Sequence, residues 1–226
     1  MISMKQLTLS TTIIVFFVMM IGCGKTKGNK MDEKSSDKSG STNNDFEKEI
    51  AVISTKFGDI ALEFFDELAP KHVESYKLHA QNDYYNGTIF HRVIPGFMIQ
   101  GGAPLTRSKD KSRHGTGGNA AKYFGIGKES EPNSWDLPAE FSSRTHSRGI
   151  LSMARSQDPD SGGSQFFICV ADAPFLDSQY TVFGRVIEGM DVVDQIVDTP
   201  RDQRDNPNDR IAVSYTHLTL PTNREV

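Results

Sequence analysis

The amino-acid sequence predicts a mainly β fold, organised as a closed or nearly closed barrel. Three observations support this prediction: several short β-rich runs are separated by turn signals, only two stretches have helical periodicity, and no internal repeat is visible. The composition is ordinary for a globular protein, with 37% hydrophobic and 24% charged residues in a chain of 226. We therefore expect one folded domain with an accessory segment.

The predicted elements begin at residue 50. Residues 50–53 and 60–64 are β-rich and predict a hairpin. Pro70 predicts the start of a helix that ends near Asn82. The core-facing positions of this helix are predicted to be Val73, Tyr76, Leu78 and Ala80. The remaining predicted elements are strands at 88–94, 98–100, 149–154, 165–170 and 181–186, a helix at 190–197, and a closing strand near Val213.

The N-terminus resembles the export signal of a bacterial lipoprotein. Lys5 precedes an apolar run at 13–21, which is typical of a secretory signal, and the run ends in Gly22 and Cys23. A small residue before a cysteine resembles the lipobox, in which the cysteine becomes lipid-modified. We therefore predict a signal peptide at 1–22 and a lipid on Cys23 that holds the protein at a membrane of the cell envelope. The alternative is an uncleaved anchor with an incidental cysteine.

Two further segments flank the predicted domain. Residues 24–44 contain almost no apolar side chains, so 23–45 is predicted to be a flexible tether and 46–213 the folded domain. The final segment, 214–226, is discordant with the rest of the chain, and our hypothesis is that it is a non-native tail. Within the domain, residues 101–138 form a long loop, which we expect to modify access to a binding site.

Several classes of function are disfavoured. The formal net charge is −4 and no basic stripe is visible, which argues against nucleic acid as a partner. The six histidines form no metal-ligand pattern, and Ser164 lacks the glycine spacing of a hydrolase nucleophile. Cys23 and Cys169 lie in such different contexts that we expect no disulfide, and Cys169 is interpreted as a buried, inert thiol. No metal and no cofactor is predicted.

Two segments have a pattern that none of these classes explains. Residues 90–102 alternate in polarity around a Pro-Gly turn, which directs Met98 and Gln100 to one face, and residues 163–168 alternate in the same way. Both resemble the signature strands of the cyclophilins, the cyclosporin-binding family of peptidyl-prolyl isomerases. The resemblance extends over about residues 50–197. It implies an eight-stranded antiparallel β-barrel capped by two α-helices, a monomer that binds proline-containing polypeptides, and acceleration of rotation about X–Pro bonds.

The same resemblance assigns the site residues. Arg92 takes the catalytic position, as a charged donor beside the rotating amide. The apolar socket for the proline ring is assigned to Phe97, Met98, Phe167 and Leu176. The other substrate-binding positions are His91, Gln100, Ala154, Arg155, Gln165, Phe175 and Tyr180. Three of these depart from common family residues: Arg155 replaces Asn, Phe175 replaces Trp and Tyr180 replaces His.

Two other interpretations stay open at this point. In one, the aromatic residues are ordinary core and Arg92 is a surface charge. In the other, the domain is a proline-peptide-binding module or holdase with little turnover. The enzyme interpretation is favoured because a pure binder would not need Arg92, and it implies assistance to exported proteins whose slow folding step is proline isomerisation.

Overall fold

The computed structural model describes residues 49–220, which form one eight-stranded antiparallel sheet and two α-helices. The strands are β1 (Ile50–Thr55), β2 (Gly58–Phe64), β3 (Arg92–Ile94), β4 (Met98–Gly101), β5 (Ile150–Met153), β6 (Phe166–Cys169), β7 (Val182–Glu188) and β8 (Val213–Thr219). The helices are α1 (Pro70–Gln81) and α2 (Met190–Val197). In this part of the chain, neither helix has the length and apolar character needed to cross a membrane. The predicted signal peptide, Cys23 and the tether lie outside the described residues.

The predicted hairpin and both predicted helices are present, and α1 begins at Pro70 as expected. One detail of α1 differs. Leu78 is only half-buried, whereas His72 and His79 are buried with Tyr76. Positions 72, 76 and 79 lie on one face of a 3.6-residue helix, and position 78 lies about 100° away from 79. The buried face of α1 therefore includes two histidines.

The predicted closure of the barrel is not confirmed, because the sheet is an open half-barrel. Its strand order is β3-β4-β6-β5-β7-β2-β1-β8, so that β3 and β8 are its two edges. The segment before β3 occupies part of the gap: the N–H of Gly87 donates to the carbonyl of Val213 at 2.8 Å, and the N–H of Val213 donates to the carbonyl of Thr88 at 2.8 Å. Strand β3 begins at Arg92, later than the predicted start at residue 88.

The last described strand crosses the predicted domain boundary at residue 213. Strand β8 pairs antiparallel with β1, from Val213 opposite Thr55 to Thr219 opposite Ile50. Thr216 is buried and its N–H donates to the side chain of Asn86 at 3.0 Å. The folded unit thus extends six residues into the segment that we had assigned to a tail, because β1 offers an edge that this segment completes.

The interior of the half-barrel is filled by an inner cluster of apolar side chains, in which aromatic rings meet edge to face. Phe166 of β6 lies with its ring centroid 5.4 Å from that of Tyr76 and 5.6 Å from that of Tyr85. Phe183 of β7 lies 5.8 Å from Tyr76. All four rings are essentially inaccessible to solvent. Burial alone contributes about 1.5–3 kcal/mol per ring, and the packing fixes α1 against the sheet.

The start of α1 is stabilised from a distant part of the chain. Ala69, before the first turn, provides no side-chain cap. Instead, the Glu140 carboxylate accepts from the backbone N–H groups of Lys71 and His72, both at 3.1 Å, and from Nδ1 of His72 at 2.7 Å. Burial alone would raise the pKa of Glu140, but these hydrogen bonds outweigh it and lower the pKa. An anion at this end also suits the helix dipole.

Candidate active site

Alternation along three neighbouring strands creates two apolar regions on opposite faces of the sheet. On β6, Phe166 and Ile168 face the inner cluster, whereas Phe167 and Cys169 face outward. Strands β4 and β5 repeat the pattern. The outward residues form a second, smaller group, which we call the outer cluster: Met98, Ile150, Phe167, Cys169, Ala173, Leu176 and Val182.

The outer cluster opens to solvent as an apolar socket of about 180 Å³. Met98, Phe167 and Leu176 form its buried wall, at 2%, 5% and 6% exposure. The residues that line the socket are Arg92, Phe97, Met98, Gln100, Ala154, Arg155, Phe167, Leu176 and Tyr180. All nine are site residues that the sequence predicted, and the fold brings them together from β3, β4, β6 and the segments after β5 and β6.

Arg92 lies at the rim of the socket on the edge strand β3. Its backbone position is opposite Gln100 of β4, so both side chains emerge on the outward face. Arg92 is exposed, and its guanidinium has no hydrogen-bond partner within residues 49–220. A guanidinium has five N–H donors and keeps its charge at any physiological pH. Arg92 therefore presents uncommitted charged donors directly beside an apolar socket.

Two glutamines connect the socket to the loop 101–138. Gln100 Nε2 donates to Gln165 Oε1 at 3.0 Å, and Gln165 Nε2 donates to the carbonyls of Gly115 and Gly117 at 3.1 and 2.8 Å. The amide orientation of both side chains is thereby fixed. Gln165 itself lines an adjoining pocket of about 350 Å³, together with Gln100, Gly115 and Arg155. The glycines of the loop 101–138 thus orient a predicted site residue.

Arg155 also lines the socket but differs from Arg92 in its contacts. Its guanidinium donates to the carbonyl of Gln179 at 2.9 and 3.1 Å and to that of Ser156 at 2.8 Å. It also stacks over the ring of Tyr180, at 4.5 Å from the centroid. Most donors of Arg155 are therefore used to hold the socket wall.

Besides Gln165, two predicted residues lie outside the socket. Phe175 is 63% exposed and its ring lies 5.3 Å from that of Phe97, at the outer lip. His91 is buried behind Arg92, where it lines a separate pocket of about 230 Å³ that we call the basic pocket, because Lys111 and Arg204 also line it. Burial, with the nearby His114, lowers the pKa of His91 to about 4.

A polar group behind the socket was not predicted. His146 stacks on Phe167 with ring centroids 6.1 Å apart, and its ring nitrogens contact Asp177 Oδ1 and Ser152 Oγ, both at 3.0 Å. Ser152 Oγ donates to the carbonyl of Thr181 at 3.0 Å. Burial lowers the pKa of His146, although the hydrogen bond with Asp177 partly opposes it. The stacking of His146 holds Phe167 in place. Ser152 is buried and is therefore not an exposed nucleophile. No sequence spacing indicates the arrangement, since it joins three separate segments.

The remaining chemistry of the described residues is limited. Cys169 is fully buried, and burial raises the pKa of its thiol to about 12, so the thiol stays protonated. No cluster of three or more His, Cys, Asp or Glu side chains suited to a metal ion occurs between residues 49 and 220. The site thus combines an apolar socket, one uncommitted guanidinium and two oriented amides.

Comparison with known proteins identifies the family to which this combination belongs. Residues 49–218 match the family model of the cyclophilin type peptidyl-prolyl cis-trans isomerase/CLD. The chain belongs to the cyclophilins. A probable peptidyl-prolyl cis-trans isomerase of Brucella abortus is 48% identical to this cyclophilin over 149 residues, which cover 64% of the chain and 69% of the relative.

Other relatives support the same assignment. A peptidyl-prolyl cis-trans isomerase of Acinetobacter baylyi is 41% identical over 156 residues, covering 67% of this cyclophilin and 73% of the relative. Among solved structures, a Cryptosporidium parvum cyclophilin type isomerase, crystallised in the presence of the dipeptide Ala-Pro, aligns with a TM-score of 0.65 and 31% identity. That alignment covers 75% of this chain and 98% of the other. The relatives of this cyclophilin are thus named as isomerases in bacteria and eukaryotes alike.

Proposed function

We propose that this cyclophilin is a monomeric, lipid-anchored isomerase that accelerates rotation about X–Pro bonds in exported polypeptides. The observation that carries the catalytic part is Arg92, an exposed guanidinium without a hydrogen-bond partner among residues 49–220, at the rim of an apolar socket. A proline ring of the polypeptide would occupy the socket. The amide that precedes the proline would then lie beside Arg92.

The chemistry requires no covalent bond to the protein. Amide resonance opposes rotation by about 18–20 kcal/mol, and unaided X–Pro isomerisation takes roughly tens to hundreds of seconds. In the twisted state the proline nitrogen gains a lone pair, to which Arg92 can donate a charge-assisted hydrogen bond. A turnover of about 1–10³ s⁻¹ requires roughly 3–7 kcal/mol of preferential stabilisation of that state. A positioned charged donor supplies a large share of this energy.

The socket and the glutamines contribute positioning. Burial of the proline ring against Met98, Phe167 and Leu176 holds the proline side of the X–Pro bond in place. Gln100 and Gln165, whose amides are already oriented by hydrogen bonds, can bond the backbone of the polypeptide without a further loss of rotamer freedom. The other side of the bond is then free to rotate past Arg92.

The isomerase activity is tested by exchange NMR on a short X–Pro peptide, using the full chain in mild detergent. We expect acceleration by the unmodified protein and a loss of about 100-fold in kcat/KM for Arg92→Ala. Arg92→Lys keeps the charge but loses the planar donor array, and should recover only part of the rate. The matched control is Arg185→Ala. This change removes an exposed arginine of β7 that pairs with Glu63 and does not line the socket.

Three outcomes decide between the candidate functions. Loss of rate only in the Arg92 variants supports the isomerase. Peptide binding without acceleration by the unmodified, folded protein would indicate a binding module or holdase. Equal loss of binding and rate in Arg92→Ala would show that Arg92 merely holds the peptide, and would contradict the assigned catalytic role.

The proposed anchor rests on the sequence pattern of Lys5, the apolar run at 13–21 and Gly22 before Cys23. Metabolic labelling with a palmitate analogue in a bacterial host tests it directly. We expect label on the unmodified chain and none on Cys23→Ser. The control is Cys169→Ser, which replaces the only other cysteine and should keep the label. Absence of label from the unmodified chain in a host that labels its own lipoproteins would refute the anchor.

A further inference from the structure

The basic pocket lies next to the socket, and most of its lining residues have no role in the mechanism proposed above. The two share Arg92 and Gln100 in their walls. The basic pocket has a volume of about 230 Å³ and is lined further by His91, Lys111, His114, Arg204 and Asn206. Its lining contains none of the residues Met98, Phe167 and Leu176 that form the apolar wall of the socket.

Hydrogen bonds between separate segments build this pocket. Arg204 donates to the carbonyl of Lys111 at 3.0 Å, and Lys111 Nζ donates to the carbonyl of Pro207 at 2.9 Å. Asn206 Nδ2 donates to the carbonyl of His91 at 2.8 Å and contacts His114 Nδ1 at 3.0 Å. The loop 101–138 and the loop before β8 are thus fixed around a preformed cavity.

Two buried polar atoms of the pocket lack partners. Asn206 is 3% exposed and its Oδ1 has no hydrogen-bond partner among the described residues, and His91 is 5% exposed with Nδ1 in the same condition. Buried polar atoms are rarely left unsatisfied unless water or a ligand supplies the bond. Both residues line the cavity, but these two atoms are themselves inaccessible to solvent, so the ligand is indicated by the charges of the pocket.

The charge of the pocket is positive in a protein whose formal net charge is −4. Arg92, Lys111 and Arg204 carry three positive charges. One carboxylate, Asp202, lies 4.0 Å from Lys111 Nζ, and its Oδ1 already accepts from the backbone N–H groups of Arg204 and Asn206. The neighbouring Asp205 pairs with Arg201, and Asp110 bonds Ser112. The surplus of cations favours an anionic ligand.

We propose that the basic pocket binds the side-chain carboxylate of an aspartate or glutamate that lies within about two residues of the substrate proline. This inference rests on the proposed isomerase function, because it places the proline in the socket. An extended peptide advances about 3.3 Å per residue, so adjoining pockets with two shared wall residues are spanned by one or two residues. The carboxylate contacts Lys111 and Arg204, whose side chains line the pocket. The pocket thereby gives the enzyme a preference for acidic sequences.

Matched peptides test this preference. Each peptide contains one proline, and Glu, Gln or Lys is placed in turn at each of the two positions before it and the two positions after it. The ends are acetylated and amidated, so that the Glu side chain is the only carboxylate. With the full chain in mild detergent, exchange NMR gives kcat/KM and titration gives Kd. At one position or more, we expect Glu to exceed Gln by about fivefold and Lys to fall below Gln. High salt should reduce the difference.

Two double variants locate the preference. Lys111→Gln with Arg204→Gln should bring the Glu-to-Gln ratio close to one. Lys56→Gln with Lys128→Gln removes the same charge from exposed positions outside the groove and should keep the ratio. Circular dichroism checks that each variant is folded. If the Lys111 and Arg204 double variant is unfolded, the salt dependence of the Glu-to-Gln ratio in the unmodified chain tests the preference instead.

The failures of the two proposals are distinguishable. Equal kcat/KM and Kd for Glu and Gln peptides at every position, with all peptides isomerised, would overturn the acidic preference and leave the isomerase intact. A preference that survives in the Lys111 and Arg204 double variant, or disappears in the Lys56 and Lys128 control, would also overturn it. Absence of isomerisation would refute the enzyme, while the Kd values would still test the pocket.

Discussion

The inner and outer clusters are built from the same strands but differ in how completely they are enclosed. The inner cluster is sealed by α1, α2 and the curl of the sheet, and its largest rings are inaccessible to solvent. The outer cluster has a buried floor, but Phe97 and Tyr180 at its margin are only partly covered, and Phe175 is exposed. One region is packed for stability, and the other leaves room for a proline ring.

A shift of one residue would exchange the two regions. Because side chains alternate along a strand, Phe166 and Phe167 point to opposite faces although they are neighbours in the chain. Phe166 is surrounded by other rings of the inner cluster, whereas Phe167 lies between His146 and Tyr180 at the socket. Adjacent phenylalanines therefore serve different purposes, and substitutions at these positions can separate stability from binding.

The largest effect is expected from truncation of the inner ring. Phe166→Ala should lower the free energy of unfolding by about 4 kcal/mol, because it leaves a cavity among rings that cannot collapse into it. Phe167→Ala should lower it by about 2 kcal/mol, because water can enter the space from the open socket, but it should raise KM for X–Pro peptides. Urea denaturation and exchange NMR measure the two quantities. A loss of stability at Phe167 equal to that at Phe166 would remove the distinction between the clusters.

A somewhat smaller loss of stability is expected in acid, at His91 in the basic pocket. His91 has a pKa of about 4 in the folded protein, against an ordinary value near 6.5. The unfolded chain therefore binds its proton first as the pH falls, and the free energy of unfolding should decrease by about 3 kcal/mol between pH 6.5 and pH 4. Above pH 6.5 this contribution to stability is fully present.

Two histidine variants assign this acid response to a region. His91→Gln should flatten the dependence of the unfolding free energy on pH, measured by urea denaturation at pH 7 and pH 5. His79→Gln, at the inner cluster, should flatten it less. Burial lowers the pKa of His79 too, but Nε2 of its ring contacts the carbonyl of Asn119 at 2.9 Å, which favours the charged form. A flatter curve for the His79 variant would place the acid-sensitive region in the interior.

The smallest loss of stability is expected at the start of α1, the helix that covers the inner cluster. Glu140→Ala removes the acceptor for the first N–H groups of α1 and should lower the free energy of unfolding by about 1–2 kcal/mol. Glu140→Gln keeps an acceptor oxygen and should cost less. Since the pKa of Glu140 is lowered in the folded protein, its contribution is present above the ordinary pKa and is lost as the pH falls below it.

The Glu140 variants also test whether the two clusters are independent. We expect kcat/KM for an X–Pro peptide to stay unchanged, because the Glu140 side chain contacts α1 and does not line the socket. Glu129→Ala, an exposed carboxylate, is the control for loss of charge. A large fall in kcat/KM for Glu140→Ala, with the protein folded, would show that the cover of the interior also positions the outer cluster.

Much of the site could be predicted because its residues lie within short, locally patterned segments. Alternation along one strand places Met98 and Gln100 on a common face, and the resemblance to the cyclophilins assigns Arg92 and Phe167 to the same site. The contacts of His146 with Asp177 and Ser152 could not be predicted, because they join segments with no shared pattern. The same is true of Glu140 at the start of α1, where 68 residues separate carboxylate and ring.

The sequence by itself determined the identity of most strands and of both helices, the family, and the face on which Arg92 and the socket residues emerge. The elements follow from local periodicity, and the family and the site residues follow from the resemblance of two segments to the signature strands of the cyclophilins. Only the tertiary structure decided that the half-barrel stays open, that β8 extends past residue 213, and that Lys111 and Arg204 meet beside Arg92. Each of these depends on which distant backbone groups and charges come into contact, and such contacts are properties of the folded chain and not of any single segment.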